Sequence, residues 1–193
     1  DYWGRIFNLN AEYMEACREN CAEYDEIVMA KEVQSLYKDK SMRRLTEYLS
    51  TSVFDLKTTF NYDGMLLPTL EAILDDCIIK TLTLPVIPSV LHGDLCFSNI
   101  LFDSRSSGIK VIDPRALNEQ QEFMLKGDQK YDLAKLTHSV IGMYDFIIAG
   151  RYKIECKGGS GKIIEFYDKN RILSIQDQFI ATEFLPGVAV LDI

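Results

Sequence analysis

The chain is most tightly constrained between residues 99 and 113. Asn99 runs straight into Ile100-Leu101-Phe102, then Asp103-Ser104-Arg105-Ser106-Ser107-Gly108, then Ile109-Lys110-Val111-Ile112 and Asp113. The apolar runs carry strand-forming residues, and the stretch between them is rich in turn formers. The pattern predicts a β-hairpin. A hairpin returns its second strand beside the start of its first, so Asn99 and Asp113 are expected side by side at the open end. Two oxygen-bearing side chains so placed suit a hard cation such as Mg²⁺. An ordinary hairpin with solvated polar ends has the same local pattern, so the hairpin alone does not decide.

The preceding residues narrow the choice. His92-Gly93-Asp94-Leu95-Cys96-Phe97-Ser98-Asn99 fits H-x-D-L-x-x-x-N, the catalytic-loop pattern of protein-kinase-like phosphotransferases. Phosphoryl transfer needs a carboxylate to orient an attacking hydroxyl and accept its proton. It also needs oxygen ligands for the Mg²⁺ that neutralises charge on the transferred phosphate. Asp94 is the expected base, and Asn99 and Asp113 are the expected metal ligands. The coincidence of His, Asp, Leu, Asn and a distal hairpin-borne Asp favours this reading over a solvated hairpin.

These residues resemble the aminoglycoside phosphotransferase and choline kinase family, small-molecule kinases with a protein-kinase-like fold. Gly93 stands where protein kinases carry an Arg that reads a phosphorylated activation loop, which implies no such switch. Asp113-Pro114-Arg115 replaces their D-F-G. The resemblance implies that Asp132, in Tyr131-Asp132-Leu133-Ala134, braces the catalytic loop, and this is favoured over the simpler reading that it suits the positive end of its own helix. His92 is expected to fasten the loop backbone rather than move protons. Arg115 could contact phosphate, since guanidinium suits phosphate geometry, or form a surface salt bridge. The resemblance is specific from His92 to about Leu136.

The expected fold class is therefore α+β and mostly helical: a kinase-like large lobe with a catalytic-loop hairpin and a second small hairpin. At 193 residues the chain is long enough for one domain with a real core. Its expected parts are a helical region (1–88), the catalytic loop and metal-binding hairpin (89–116), and helices plus a hairpin (117–193). A kinase also needs a small lobe, with a Gly-rich loop and a strand lysine paired to a helix glutamate. None is legible here, so the N-terminal lobe is expected to be missing. The chain starts without a Met, which suggests a fragment, a processed product or an ordered portion of something longer.

Asn10 to Leu36 reads as one long amphipathic helix, with Tyr13, Met14, Cys17, Cys21, Tyr24, Ile27, Val28 and Ala30 at helical spacing. Ser41 is the expected cap of a second helix carrying Leu45, Tyr48 and Leu49. Asn61-Tyr62-Asp63-Gly64 is a turn, and Pro68 suits the first turn of a third helix. Pro85 and Pro88 enforce an extended approach to His92. Asn118 to Glu122 is a polar connection. A helix is expected from Tyr131 to Ile148, ended by Gly150, with Leu133, Leu136, Val140, Ile141, Tyr144 and Ile147 buried. A hairpin follows from Arg151 to Asp168 around Gly158-Gly159-Ser160-Gly161, then a last helix from Arg171 to Phe184.

Two motifs mislead. Gly158 to Lys162 looks like a phosphate loop, but Cys156 and Ile163 occupy positions where that pattern requires Gly and Ser or Thr; a hairpin turn fits better. Val28-Met29-Ala30-Lys31 looks like a kinase strand lysine, yet it lies within a helical pattern. His138 falls mid-helix, as a structural histidine would.

The net charge of −8 argues against a nucleic-acid or anionic-membrane binder, which needs a basic face. No apolar run approaches the roughly 20 residues of a membrane span. Five cysteines, an odd count with no zinc-like pairing, read as reduced thiols of a cytoplasmic protein; Cys17 and Cys21 read as core rather than half a metal site. The expected function is ATP-dependent transfer of the γ-phosphate to a hydroxyl of a small molecule, whether aminoglycoside, choline, ethanolamine or sugar-like. ATP is co-substrate and Mg²⁺ the cofactor. The alternative is a kinase-lobe remnant that binds a metabolite or protein without catalysis. Tyr131, Tyr144, Phe146 and Tyr152 could form a cage for a quaternary ammonium, although aromatics at such spacing are more often core.

Overall fold

A computed structural model of the chain describes residues 2–53, 55–62, 64–118, 120–156 and 162–192. The expected Gly158-Gly159-Ser160-Gly161 turn, and Asp63 and Glu119 within two other turns, lie outside them, as do the side chains of Cys156 and Ile164. The fold is α+β, about half helical, with small two-stranded antiparallel sheets.

Helix α1 spans Tyr2–Glu19 and buries Phe7 and Met14. The long helix expected to Leu36 is broken. The Asn20 side chain folds back, donating from Nδ2 to the Ala16 carbonyl. Asp25 then caps a new helix, α2 (Glu26–Gln34), by accepting from the Ile27 and Val28 amides. The cap satisfies N–H groups that a helix start leaves orphaned. Met29 and Val33 of α2 are buried, whereas Ile27 is 70% exposed, so the apolar periodicity was partly a surface pattern. Val28 to Lys31 lies within α2, as expected of a helical lysine.

A π-helical turn at Ser35–Asp39 leads directly into α3 (Lys40–Thr51). Ser41 therefore caps nothing: its backbone lies inside a continuous helical path. A short hairpin, β1 (Phe60–Tyr62) and β2 (Met65–Leu67), follows, with the Gly64 amide held by Asn61. Thr69 caps α4 (Leu70–Thr83) through the Ala72 amide, which leaves Pro68 one residue outside the cap rather than in the first turn.

Strand β3 (Pro88–Val90) pairs with β6 (Lys126–Asp128), a pairing too short to be visible as periodicity. Between them sits the expected hairpin, β4 (Ile100–Asp103) and β5 (Gly108–Val111), in register Ile100 to Val111. The helix expected from Tyr131 to Ile148 is two: α5 (Lys130–Val140) and α6 (Tyr144–Ile148). They part at Gly142, where a Cβ would lie 2.7 Å from the His138 carbonyl, and at Met143, whose φ is +55°. The kink turns Tyr144 and Ile147 outward, to 40% and 44% exposure. Gly150 closes α6 as expected, at φ +65°.

The second hairpin joins β7 (Tyr152–Cys156) to β8 (Lys162–Phe166). Helix α7 (Lys169–Ile180) ends before Phe184. Phe184 still enters the core, from the segment after the helix, with Phe7, Met14, Leu133, Leu136 and Phe179. No helix among the described residues is long and apolar enough to cross a membrane.

Candidate active site

The 92–99 loop is built on two supports, an apolar one and a polar one. Leu95 is fully buried in the core beside Leu133, Leu136 and Phe179. The residue before it, Asp94, keeps 42% of its side chain exposed. The best-packed residue of the loop and a half-exposed carboxylate are thus adjacent in the chain.

The polar support is Asp132, on the first turn of α5. Its carboxylate accepts from the His92 amide and from the Gly93 amide, each at 2.8 Å. Both expected readings of Asp132 were local to its helix or to this loop, and the loop contact is the one made. Burial pushes its pKa up to about 6, against the opposing pull of the His92 and Gly93 amides. Gly93 turns at φ +77°, and a Cβ there would lie 3.0 Å from the Arg115 Cβ. Only glycine adopts this conformation at little cost.

His92 is 1% exposed. Its Nε2 meets the Ile112 carbonyl at 2.8 Å, and its Nδ1 meets the Asp94 amide at 3.3 Å. A carbonyl can only accept and an amide only donate, so the neutral Nε2–H tautomer satisfies both. The ring thereby ties the loop to the strand leading into Asp113. Its carbonyl accepts from the Arg115 amide at 2.8 Å. His92 is fully committed to backbone, as the fastening role required.

Asn99 donates from Nδ2 to the Asp94 carbonyl at 2.9 Å. That bond orients the amide and leaves Oδ1 as its open acceptor. The Asn99 carbonyl accepts from the Ile112 amide at 3.0 Å, extending the β4–β5 pairing by one residue. Asp113 follows directly, exposed and at φ +59°, a left-handed conformation that Asp tolerates better than most residues. His92, Asp94, Asn99, Ile112 and Asp132 thus form one connected circuit, and Asp113 leaves it at the open end of the hairpin. Arg115 lines a cavity together with Gly93, Tyr131, Met29, Val33 and Leu91.

Other contributors escape the sequence reading. Lys135, one turn after Asp132, places Nζ 2.9 Å from Asp94 Oδ1. Burial lowers the Lys135 pKa, but the hydrogen bond to Asp94 and nearby negative groups outweigh it, and the net shift is upward. Asp128, Gln129 and Lys130 are all 1% exposed or less. Lys130 Nζ pairs with Asp128 at 2.6 Å and also reaches the Pro85 carbonyl. Asp128 further accepts from Tyr37 OH and the Ile87 amide. Gln129 donates to the Met14 carbonyl and accepts from Arg18. The signal was present, if unspecific: a Gly-Asp-Gln-Lys-Tyr-Asp run just before a strongly apolar helix.

The aromatic cage is not assembled. Lys40 and Lys135 lie over the Tyr131 ring at 5.4 and 5.9 Å. Tyr144 stacks on the exposed His138 at 4.5 Å, while Phe146 and Tyr152 both pack on Phe166. Cys17, Cys21, Cys77 and Cys96 are unpaired thiols. Comparison of the chain with known protein families, with curated proteins and with solved structures finds no match.

Proposed function

We propose that the chain is the large lobe of a phosphotransferase similar to the small-molecule kinases, one that moves the γ-phosphate of ATP to a hydroxyl of a small acceptor. The observation that carries the reading is the circuit around Asp94. A half-exposed carboxylate sits on a loop whose every neighbour is fixed: Leu95 by the core, His92 and Gly93 by Asp132, Asn99 by the Asp94 carbonyl. A solvated loop has no need of a buried carboxylate beneath it. Preorganisation of this kind is what a group needs to meet a hydroxyl in reacting geometry.

Asp94 serves as base. Asn99 Oδ1 and the Asp113 carboxylate are oxygen donors, the kind that a hard cation takes, and would hold Mg²⁺. The ion supplies charge neutralisation for the phosphates when bound. No described residue closes over the phosphates, so MgATP binding by this chain alone is expected to be weak. With two lysines over Tyr131, the approach to Asp94 suits a neutral or anionic sugar-like acceptor better than choline or an aminoglycoside.

Lys135 also gives the non-catalytic reading its one support, since it already ion-pairs Asp94. Turnover separates the two. ADP release is measured across a panel of polyols, sugar acids, choline and aminoglycosides, for the chain and for Asp94→Asn. The base reading expects a fall of about 10²- to 10⁴-fold in turnover with an unchanged melting temperature. Near-normal turnover by Asp94→Asn removes the base assignment. Asp113→Ala should weaken MgATP binding as well as turnover.

A further inference from the structure

We propose that Lys135 is the phosphate-contacting cation of this site, holding Asp94 through one N–H and a non-bridging oxygen of the transferred phosphoryl through another; this rests on the phosphotransferase reading. The starting point is an ion pair that stability does not explain. Its side chains are 30% and 42% exposed, and pairs so open to water add little to a fold. Its placement is nevertheless specific. Asp132 and Lys135 are three residues apart, on one face of α5. The first fixes the loop backbone at His92 and Gly93, and the second meets the loop's carboxylate. The Tyr131 ring, one turn earlier and 5.9 Å away, lies beneath the ammonium.

The donor inventory leaves room for a ligand. An ammonium has three N–H groups, and Lys135 directs one to Asp94 Oδ1 at 2.9 Å. Asp94 Oδ2 makes no hydrogen bond among the described residues, so it can receive a hydroxyl. A hydroxyl bound there lies about 2.7 Å from Oδ2, and its oxygen about 3 Å from the phosphorus it attacks. An ammonium beside the same carboxylate is then within one side-chain rotation of the phosphoryl oxygens. The bond from the acceptor oxygen to the γ-phosphorus forms as the bond from that phosphorus to the leaving ADP oxygen breaks. The hydroxyl proton passes to Asp94, and Lys135 keeps all of its own. The loop itself offers no cation: between Asp94 and Asn99 stand Leu95, Cys96, Phe97 and Ser98. Charge on the transferred group must be met by a preorganised donor, and α5 provides one.

The probe is magnesium tripolyphosphate, titrated calorimetrically into the full chain and into Lys135→Gln, Lys135→Arg and Asp94→Asn. Loss of one charge-assisted contact is expected to weaken binding by about tenfold in Lys135→Gln. Lys135→Arg should stay within about threefold of the parent chain, since it keeps the charge. Asp94→Asn should bind at least as tightly, because the competing carboxylate charge is gone. Unchanged binding by Lys135→Gln overturns the proposal. So does equal weakening in Lys135→Gln and Asp94→Asn, which would mark the pair as structural support, and so does a parent chain that binds no tripolyphosphate. Lysine-dependent binding without ATP turnover on any acceptor would leave the phosphate contact standing and remove the transfer reaction.

Discussion

Residues 88–140 and residues 34–88 are built on opposite principles. The first region buries Ser89, His92, Leu95, Asp128, Gln129, Lys130 and Asp132, and nearly every buried polar atom there has a partner. In the second, none of the residues whose side chains the structure describes is buried. Beyond Tyr37 and Lys40, which reach Asp128 and Tyr131, helices α3 and α4 and the β1–β2 hairpin hold their form through caps and local pairs, such as Thr69 with Ala72 and Lys80 with Asp76. Buried polar networks that are fully satisfied specify one arrangement, and partly satisfied ones are costly. Local pairs on exposed helices specify little and cost little to lose. The chain has put its rigidity where the candidate site is.

The sharpest way to break that contrast is Asp132→Ala. It strips two buried amides of their acceptor, and each unmet donor costs roughly 1–3 kcal/mol. Relief of the buried charge offsets part, so a loss of about 3 kcal/mol is expected by denaturant unfolding. A loss below about 1 kcal/mol would mean that the loop does not depend on its polar support.

The same residue predicts a pH dependence. The folded pKa of Asp132 lies at about 6, above its ordinary value of 3.8. Between those values the folded state binds more protons than the unfolded one, so stability falls as pH rises through this window. The span corresponds to about 3 kcal/mol. The measurement is the difference in unfolding free energy between the parent chain and Asp132→Ala at pH 4 and at pH 6.5. The penalty of the substitution should be larger at the lower pH. A penalty that grows toward pH 6.5 would reverse the sign and show that the amide bonds outweigh burial.

Gly93→Ala tests the loop turn itself. At φ +77° with a Cβ 3.0 Å from Arg115, alanine should cost about 1–2 kcal/mol. Arg115→Gly in the same background should recover the steric part only.

How much of this was legible in the sequence divides along the same line. The β4–β5 hairpin, the His92 fastening and the Asp132 brace were readable because each rests on a short pattern with its own mechanism. The break between α1 and α2 was missed because Tyr24, Ile27 and Val28 continue a helical period while facing water. The kink at Gly142 and Met143 depends on close approach to His138, a contact that periodicity does not encode. The β3–β6 pair joins two three-residue strands across 35 residues of chain. Asp128, Gln129 and Lys130 were invisible as core because polar residues are expected outside. Lys135 could have been found: it follows Asp132 at helical spacing, and a brace on one face of a helix invites the question of what stands one turn further.

The smallest effects are expected in the exposed region, where their smallness is itself informative. Ile79 is 63% exposed on α4 and Leu66 is 69% exposed on β2. If these faces meet nothing in the folded chain, Ile79→Ser and Leu66→Ser should each change stability by no more than about 0.5 kcal/mol. Amide hydrogen exchange should agree: α3 and α4 should open by local fluctuation, well below the free energy that opens α5, because few buried contacts oppose it. The comparison is made on one sample, reading the amides of residues 40–83 against those of residues 130–140. Equal protection in the two segments would show that α3 and α4 unfold only with the core. The division between a rigid site and a loosely held arm would then be wrong, and the exposed apolar side chains of that arm would need another explanation than local helix stability.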